Sequence, residues 1–461
     1  MNDGTVVIAG AGLAGARCAE NLRALDWEGR IVLAGAERHP PYERPALSKE
    51  FLAGRRPDLA LRPATFWEGQ GIELLTGRRV DAVDTERKSA HVGGEVVDWD
   101  ALVIATGAGV AGARCAENLR ALDWEGRIVL AGAERHPPYE RPALSKEFLA
   151  GRRPDLALRP AAFWEEQGIE LFTGRRVDAV DTERRSAHVG GQVVDWDALV
   201  IATGAGARRL DGPPGVHHLR TLDDAVALGA ELSPSTRLVV VGAGFIGGEV
   251  ASTALPLVAS VTVVEPLPLP LHRILGDEVG AILAERYRTW GVDLRLGVGV
   301  AGFVGRDRVR GVTLTDGTIV PADAVVVGIG TVVEACQVDA CGRTATPGVY
   351  ACGDVASWWR PSLGRHIRVE HWTSAAGQAR AVASAIVGEP EAFDEPSFFW
   401  SDQFGLRLQH VGQAAAWHGV EVDGTEEAFT ARYVDGDGHL LAALTANRSR
   451  ELPALRRELA A

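Results

Sequence analysis

Leu238-Val-Val-Val-Gly-Ala-Gly-Phe-Ile-Gly-Gly-Glu249 is the stretch that decides the fold. Its apolar strand runs into a helical pattern through three spaced glycines: Gly242, Gly244 and Gly247. Such glycines let the backbone approach a pyrophosphate at the start of a helix. The next apolar run ends at Glu265, and an acidic residue there favours the free 2′-hydroxyl of NAD over the 2′-phosphate of NADP. The segment therefore predicts a strand–turn–helix unit that binds NADH.

The same pattern occurs twice nearer the N-terminus. Residues 10–109 (copy 1) recur at 107–206 (copy 2), with a shift of 97 and six differences. Each copy has a glycine turn and an acidic residue placed to bind an adenosine ribose: Gly10, Gly12, Gly15 and Glu37 in copy 1, and Gly107, Gly109, Gly112 and Glu134 in copy 2. Copy 1 ends in the strand before Gly107, and copy 2 begins at that same glycine. One strand must therefore serve one copy or the other.

A third element completes the dinucleotide signal. The run 346–355 predicts a short strand that leads into Gly353-Asp354-Val355 and then into a helix. Strands that end in Ala-Thr-Gly at 105–107 and at 202–204 are the matching crossover signal, the second with Thr203 and Gly204. Taken together, these elements predict a flavoprotein that holds FAD and a nicotinamide dinucleotide.

Composition excludes several other classes of protein. The net charge of -13 argues against nucleic-acid binding, which requires a basic surface. The N-terminal residues do not resemble a signal peptide, and no apolar run is long enough to cross a bilayer. The five cysteines lack the spacing of a disulfide framework. We therefore expect a cytoplasmic protein with no membrane insertion, and we predict no metal site.

The chain resembles the FAD-containing, NADH-dependent ferredoxin reductases of bacterial ring-hydroxylating dioxygenases and haem monooxygenases, which are pyridine nucleotide-disulfide oxidoreductase-like proteins. The likeness also rests on Pro41–Lys49, its repeat Pro138–Lys146, Arg368–Ala375 and Phe399–Gly405. It implies an α/β fold with two Rossmann-like FAD/NAD(P)-binding domains of the glutathione reductase type. A small C-terminal α+β domain would follow.

The resemblance also implies roles for individual residues. Lys49 or Lys146 would lie near flavin N5 and pair with Glu249, and Trp372 would cover the flavin near the nicotinamide site. Further contacts to the cofactors would come from Arg44, Arg141, Gly330, Gly353, Asp354 and Val355. A solvated loop charge for either lysine and core packing for Trp372 remain alternatives. Hydride transfer from nicotinamide to flavin needs no protein base, so we expect His371 to be structural.

Electrons are expected to leave the flavin one at a time. Cys336 and Cys341 have the spacing of a reductase dithiol, but they lie in irregular sequence away from the first fingerprint helix, so no catalytic disulfide is expected. The acceptor would be a ferredoxin, an acidic iron–sulfur protein. Docking candidates are Trp358, Trp359, Arg360, Arg365, Arg368, Arg448 and Arg450, unless these arginines form an ordinary solvated face. A rubredoxin reductase, an NADH oxidase and a flavin-binding protein without turnover remain alternatives.

We divide the chain into residues 1–215 and 337–391 of an FAD-binding domain, residues 216–336 of an NAD-binding domain, and a C-terminal interface domain at 392–461. The single Gly-Asp element predicts one FAD per chain. Copy 2 is favoured because it continues directly into the NAD-binding domain, although looping out an insertion would cost little entropy. The segment Thr331–Gln337 is shorter than the resemblance leads us to expect, which leaves activity open.

Overall fold

The structure is a computed structural model. It describes residues 102–124, 126–414 and 416–459, and in the N-terminal hundred residues chiefly six strands. Six of the predicted site residues, all in copy 1, lie outside the described residues: Gly10, Gly12, Gly15, Glu37, Arg44 and Lys49.

The elements fall into four groups along the chain. The N-terminal group contains strands β1 (Val6–Ala9), β2 (Ile31–Gly35), β3 (Ile72–Thr76), β4 (Val80–Asp84), β5 (Ser89–Val92) and β6 (Glu95–Asp98). The second contains β7 (Leu102–Thr106), α1 (Val110–Ala121), β8 (Arg127–Gly132), α2 (Ala161–Glu166), β9 (Ile169–Thr173), β10 (Val177–Asp181), β11 (Ser186–Val189), β12 (Gln192–Asp195) and β13 (Ala198–Ile201). The third contains β14 (Gly206–Ala207), β15 (Val216–His218), α3 (Leu222–Glu231), β16 (Arg237–Val241), α4 (Phe245–Ala254), β17 (Ser260–Glu265), α5 (His272–Thr289), β18 (Asp293–Leu296), β19 (Val300–Val304), β20 (Gly311–Leu314), β21 (Ile319–Pro321), β22 (Ala324–Val327) and β23 (Thr331–Val332). The last contains β24 (Cys336–Val338), β25 (Val349–Ala351), β26 (Ala356–Arg360), β27 (Arg365–Ile367), α6 (Trp372–Ile386), β28 (Phe398–Gln403), β29 (Leu406–Gly412), β30 (Gly419–Thr425), β31 (Ala428–Val434), β32 (Leu440–Ala446) and α7 (Leu452–Leu459).

Strand β7, the strand that both copies could claim, lies within the sheet of copy 2. The strand order is β25-β13-β7-β8-β9, and β7 pairs in parallel with β8 on one side and with β13 on the other. Strand β25 brings the Gly-Asp turn to the same sheet. Strand β1, which directly precedes copy 1, forms a separate parallel sheet with β2 and β3 of copy 1. The strand before Gly107 is thus the first strand of copy 2.

Helices α1 and α6 pack against each other through small side chains. Ala113, Cys115 and Ala116 of α1 share one buried cluster with Ala379 and Ala383 of α6. Burial raises the pKa of the Cys115 thiol well above its ordinary value. Because a buried thiol stays protonated, Cys115 behaves as a small apolar side chain.

The second parallel sheet explains the continuous apolar run that begins at Leu238. Its order is β15-β22-β16-β17-β18. Along β16, Leu238 and Val240 pack with residues of α3 and α4, whereas Val239 and Val241 pack with residues of β20 and β21. Since both faces of this sheet are covered, both sets of alternating positions must be apolar.

The C-terminal residues form a five-stranded antiparallel sheet in the order β28-β29-β32-β31-β30. One face packs against α5 through Leu275, Val279 and Leu283, and the other packs against α7 through Leu452 and Leu455. Among the residues that the structure describes, no helix combines the length and the apolarity needed to cross a bilayer.

The helix predicted directly after Gly353-Asp354 is wrong. Residues 356–367 contain the antiparallel strands β26 and β27, and α6 begins only at Trp372. Alternate side chains of β26 are buried, which is the period of a strand: Ala356, Trp358 and Arg360. Arg360 bonds Asp394 at 2.8 Å. Trp358 and Arg360 are therefore interior residues, and their proposed role in docking a partner is wrong.

A truncated chain tests the assignment of β7. Because the sheet that contains β7 takes its strands from residue 102 onwards, a chain of residues 100–461 with an added initiator Met should fold. We expect its thermal unfolding midpoint, measured by circular dichroism, to lie within a few degrees of that of the full chain. Deletion of residues 107–203, which removes one repeat unit of equal length, is the control for loss of mass. If the 100–461 chain were insoluble while the control remained soluble, the assignment of β7 would be contradicted.

Candidate functional site

A cavity of about 1170 Å³ lies where the carboxyl ends of the two parallel sheets meet. Pockets for small ligands usually span about 300–1,000 Å³, so this cavity has room for more than one small molecule. Thirteen predicted site residues line it: Gly107, Gly109, Glu134, Arg141, Lys146, Thr203, Gly204, Gly244, Glu249, Gly330, Gly353, Asp354 and Trp372. The topology thus brings the copy 2 turn, the Gly-Asp turn and the second fingerprint to one space.

The glycine turn of copy 2 shows which of its glycines serve the protein itself. A side chain on Gly107, where φ is +105°, would place Cβ 2.3 Å from the carbonyl oxygen of Ala202. A side chain on Gly112 would place Cβ 2.2 Å from the oxygen of Gly107. Among the described residues, Gly109 has no atom within 4 Å of the corresponding position, and it lines the cavity. Packing explains the first and third glycines, and the open space over Gly109 fits a close-lying pyrophosphate.

The turn between β16 and α4 repeats this geometry. Side chains on Gly242 and Gly247 would place Cβ 2.4 Å and 2.0 Å from backbone oxygens. Gly244 again has open space and lines the cavity. The described residues therefore offer two separate cradles for a pyrophosphate, each at the start of a helix.

The acidic residues that follow the two turns have different hydrogen-bond partners. Glu134 lines the cavity, and its carboxylate accepts hydrogen bonds from Arg141 and Tyr139. Glu265 instead accepts hydrogen bonds from the backbone N–H groups of Ala243, at 2.8 Å, and Leu267, at 3.0 Å. Glu265 therefore fixes the shape of the glycine turn, and its contact with a ribose stays a prediction.

The Gly-Asp turn is fixed by two side chains that no motif above includes. Gln378 of α6 accepts a hydrogen bond from the backbone N–H of Gly353 at 2.8 Å, and Arg220 pairs with the carboxylate of Asp354 at 2.8 Å. Arg220 directly precedes the Thr-x-x-Asp capping box that starts α3, which is the only sequence signal near it. Val355 is buried in the core rather than in the cavity wall, and its carbonyl accepts a hydrogen bond from Cys336.

Lys146 and Glu249 form a buried ion pair in the cavity wall. Lys146 lies in a single π-helical turn, Leu144–Phe148, and its Nζ is 2.7 Å from Oε2 of Glu249 in α4. Their side chains are only 8% and 4% exposed. Burying such a pair is costly unless its remaining lone pairs are satisfied, and hydroxyl groups of Ser145 and Ser401 also donate to the carboxylate. The arrangement holds a positive charge at the cavity.

Trp372 begins α6 and is half-buried at the cavity. Its ring lies 6.5 Å from that of Trp400 in an edge-to-face arrangement, and the guanidinium of Arg114 lies 5.8 Å from its ring centre. The indole is therefore a fixed aromatic surface at the cavity rather than an interior packing residue.

His371 and His410 also line the cavity, and both rings contact Phe399, with centroid separations of 4.5 Å and 4.9 Å. Burial lowers the pKa of His371 to about 4. Burial and the neighbouring His371 lower the pKa of His410 to about 3. Both rings are neutral at pH 7, and their Nδ1 atoms have no hydrogen-bond partner among the described residues. They provide an apolar wall.

Cys336 and Cys341 do not belong to the part of the cavity wall that the structure describes. Both are free thiols, and burial raises the pKa of each. Because the thiolate is the nucleophile in thiol–disulfide exchange, a raised pKa makes these thiols less reactive at neutral pH.

Two family models match the chain. The pyridine nucleotide-disulphide oxidoreductase model matches residues 4–109 and again 107–379, and the reductase C-terminal model matches residues 398–461. The first two matches overlap where the copies meet. The predicted family and the predicted α/β fold class are confirmed.

Relatives of known function are similar over most of the chain. The ferredoxin reductase subunit of 5,5'-dehydrodivanillate O-demethylase from Sphingobium sp. is 39% identical, over 77% of this chain and 91% of its own length. The ferredoxin–NAD(+) reductase component of the anthranilate 1,2-dioxygenase system from Burkholderia cepacia is 38% identical, over 78% and 94%. A solved covalent putidaredoxin reductase–putidaredoxin complex matches with a TM-score of 0.75 and 32% identity, over 78% of this chain and 93% of the matched chain.

The buried histidines predict a pH dependence of stability. Their pKa values in the folded protein lie below the ordinary value of 6.5, so below pH 6.5 the unfolded chain binds protons that the folded chain does not. Stability should therefore fall as the pH is lowered through this window, by about 2 kcal/mol for each histidine between pH 7 and pH 5.

Urea unfolding of the wild type and of His410→Gln at both pH values measures this effect. The variant removes His410 as a titrating group and should lose one histidine's share of the pH dependence. An unchanged pH dependence in His410→Gln would show that His410 does not titrate as described.

Proposed function

This chain belongs to the pyridine nucleotide-disulphide oxidoreductase family, and we propose that it is an NADH-dependent FAD enzyme that reduces a ferredoxin-type protein. The observation that carries the proposal is the single cavity shared by two open glycine turns, the Gly-Asp turn and the buried Lys146–Glu249 pair. Both relatives named above are ferredoxin reductases, which supports this choice of acceptor. The free thiols and the use of NADH support a cytoplasmic location.

Residues of copy 2 would hold FAD. The backbone at Gly109 would contact the pyrophosphate, with the Glu134–Arg141 pair near the adenosine and Asp354 with Arg220 near the ribityl chain. When bound, FAD supplies the ability to accept a hydride and to release electrons singly. The protein contributes orientation and charge.

The second fingerprint would hold NADH. Gly244 leaves space for its pyrophosphate, and Gly330, which follows the neighbouring strand β22, also lines the cavity. Phe245, the first residue of α4, packs edge-on against Phe399 with ring centres 4.7 Å apart. This ring and the neutral His371 would keep water from the space between the two dinucleotides.

Lys146 and Trp372 would act at the flavin. The ammonium group of Lys146, held by Glu249, would stabilise negative charge that develops on the reduced ring. Trp372 would cover the ring at the nicotinamide side. Neither residue needs to exchange a proton with NADH, because hydride transfer is direct.

An exposed surface beside the cavity would receive the acceptor protein. Trp359 is 37% exposed and packs on His366, and Arg365 is exposed. Arg368 follows β27, lines the cavity and pairs with Glu370. An exposed cation and an exposed aromatic ring on neighbouring strands suit an acidic ferredoxin, which the local charge would steer. Arg448 pairs with Asp423 and Glu451, so its charge is already compensated.

Anaerobic stopped-flow mixing tests the function. We expect NADH to bleach the absorbance of bound FAD, and we expect the reduced protein to pass electrons to a two-iron ferredoxin, followed by cytochrome c reduction. Rubredoxin and oxygen, tested in parallel, should be poorer acceptors. Bound FAD that NADH never bleaches would contradict the reductase function and favour a flavin-binding protein without turnover.

Matched substitutions in the two copies test which copy binds FAD. Gly109→Val adds a side chain where no protein atom lies, so the fold should persist while the pyrophosphate is excluded. We expect this variant to purify with little FAD, and Gly12→Val, the same change in copy 1, to retain FAD. Absorbance at 450 nm per chain and the unfolding midpoint are the measurements. The reverse pattern would assign FAD to copy 1.

A further inference from the structure

We propose that Ser401, in the C-terminal domain (residues 398–461), is a positioning residue that holds Glu249 and thereby fixes Lys146 at the cavity. The inference rests on the proposed function for its purpose, but its geometry is independent of it. Lys146 comes from copy 2, Glu249 from the helix of the second fingerprint, and Ser401 from β28. Three parts of the chain therefore meet at one carboxylate.

The carboxylate of Glu249 has three side-chain partners. The hydroxyl of Ser145 donates to Oε2 at 2.5 Å, and the ammonium of Lys146 forms an ion pair with the same oxygen at 2.7 Å. The hydroxyl of Ser401 donates to Oε1 at 2.6 Å and is the donor that the described residues give to this oxygen. Ser401 is 1% exposed, so water does not readily replace it. Hydrogen bonds to a carboxylate are the strong class, which makes Ser401 important for the orientation of Glu249.

The direction of the Ser401 hydrogen bond is set by two further side chains. The amide nitrogen of Gln403 donates to the Ser401 oxygen at 3.3 Å, and the Tyr287 hydroxyl donates to the Gln403 amide oxygen at 3.2 Å. An amide NH₂ group can only donate. The Ser401 hydrogen must then point towards Glu249. The series of hydrogen bonds Tyr287–Gln403–Ser401 therefore presents a donor, not an acceptor, to the carboxylate.

Packing against α4 keeps the side chains of Gln403 and Tyr287 in place. A side chain on Gly248, the residue before Glu249, would place Cβ 2.1 Å from the amide oxygen of Gln403 and 2.5 Å from the hydroxyl of Tyr287. Glycine at 248 thus allows Gln403 and Tyr287 to reach the helix. Burial, together with Glu265 and Glu249, raises the pKa of Tyr287, which therefore remains a donor at neutral pH.

These contacts give the C-terminal domain a part in the active site. Without the Ser401 hydroxyl, Oε1 of Glu249 would be a buried acceptor with no donor from the described residues, and the carboxylate would be held less firmly in its present orientation. Its partner Lys146 would then be held less firmly against it. The predicted consequence is a change in the chemistry of one amine, which can be measured without FAD.

The lysine content makes that measurement specific. The chain has three lysines, Lys49, Lys88 and Lys146, and Lys49 and Lys146 share the local sequence Ala-Leu-Ser-Lys-Glu. The apoprotein is treated with acetic anhydride, and mass spectrometry gives the ratio of the acetylation rates of Lys146 and Lys49. We expect Ser401→Ala to raise this ratio about tenfold, the effect of losing one hydrogen bond to a charged group.

Two companion variants make the result decisive. Ser401→Thr keeps the hydroxyl and should restore the wild-type ratio, whereas Thr445→Val removes a buried hydroxyl that has no partner among the described residues of the same domain and should change nothing. In the FAD-loaded protein, Ser401→Ala should also lower the midpoint potential of the flavin, measured by spectroelectrochemistry. An unchanged acetylation ratio in Ser401→Ala would overturn the inference. Failure of NADH to bleach the wild-type flavin would overturn only the proposed function.

Discussion

A strand in a parallel sheet has two edges, and both edges of β7 are filled from residues that follow it in the chain. Strand β8 pairs along one edge and β13 along the other. This pairing is a constraint because Leu102–Thr106 is also the last strand of copy 1 by sequence. Once β7 pairs with β8 and β13, Gly107 must start the glycine turn beside Ala202, and α1 must pack against α6.

The same strand pairing brings the predicted cofactor-binding turns together. Parallel strands end at one edge of a sheet, so the copy 2 turn, the Ala-Thr-Gly end and the Gly-Asp turn converge there. The second parallel sheet presents its own glycine turn to the same cavity. Lys146 and Glu249 then join the two halves through a buried ion pair, and Ser401 adds the C-terminal domain. A buried carboxylate with several donors requires all three parts to be in register, so it selects their arrangement more than it stabilises them.

Sequence patterns predict those parts of the site that depend only on residues close together in the sequence. Each glycine turn depends on spacing within six residues, and the resemblance supplied the pairing of Lys146 with Glu249. Residues fixed by distant partners were not predicted. Arg220 becomes a site residue only because β25 brings Asp354 to it, and Ser401 only because β28 packs on α4. Glu265 has the expected position, but its carboxylate bonds the turn backbone. The sequence predicts a helix where the strand at 356–360 lies, because the strand's period of two becomes informative only when one face is known to be buried.

Near-identity of sequence does not make the two copies equivalent. Each has the same glycine spacing, the same acidic residue and the same lysine, but the proposed flavin site also requires a neighbouring strand that ends in Ala-Thr-Gly and a further strand that leads into Gly-Asp. The Ala-Cys-Gly353-Asp354 element occurs once in the chain, directly after β25, and β25 pairs with β13 next to β7. Strands β1, β2 and β3 can pair among themselves without either neighbour. Topology, rather than the motif, therefore places one of two matching fingerprints beside both of these strands, and the pairing of the single shared strand β7 is enough to do so.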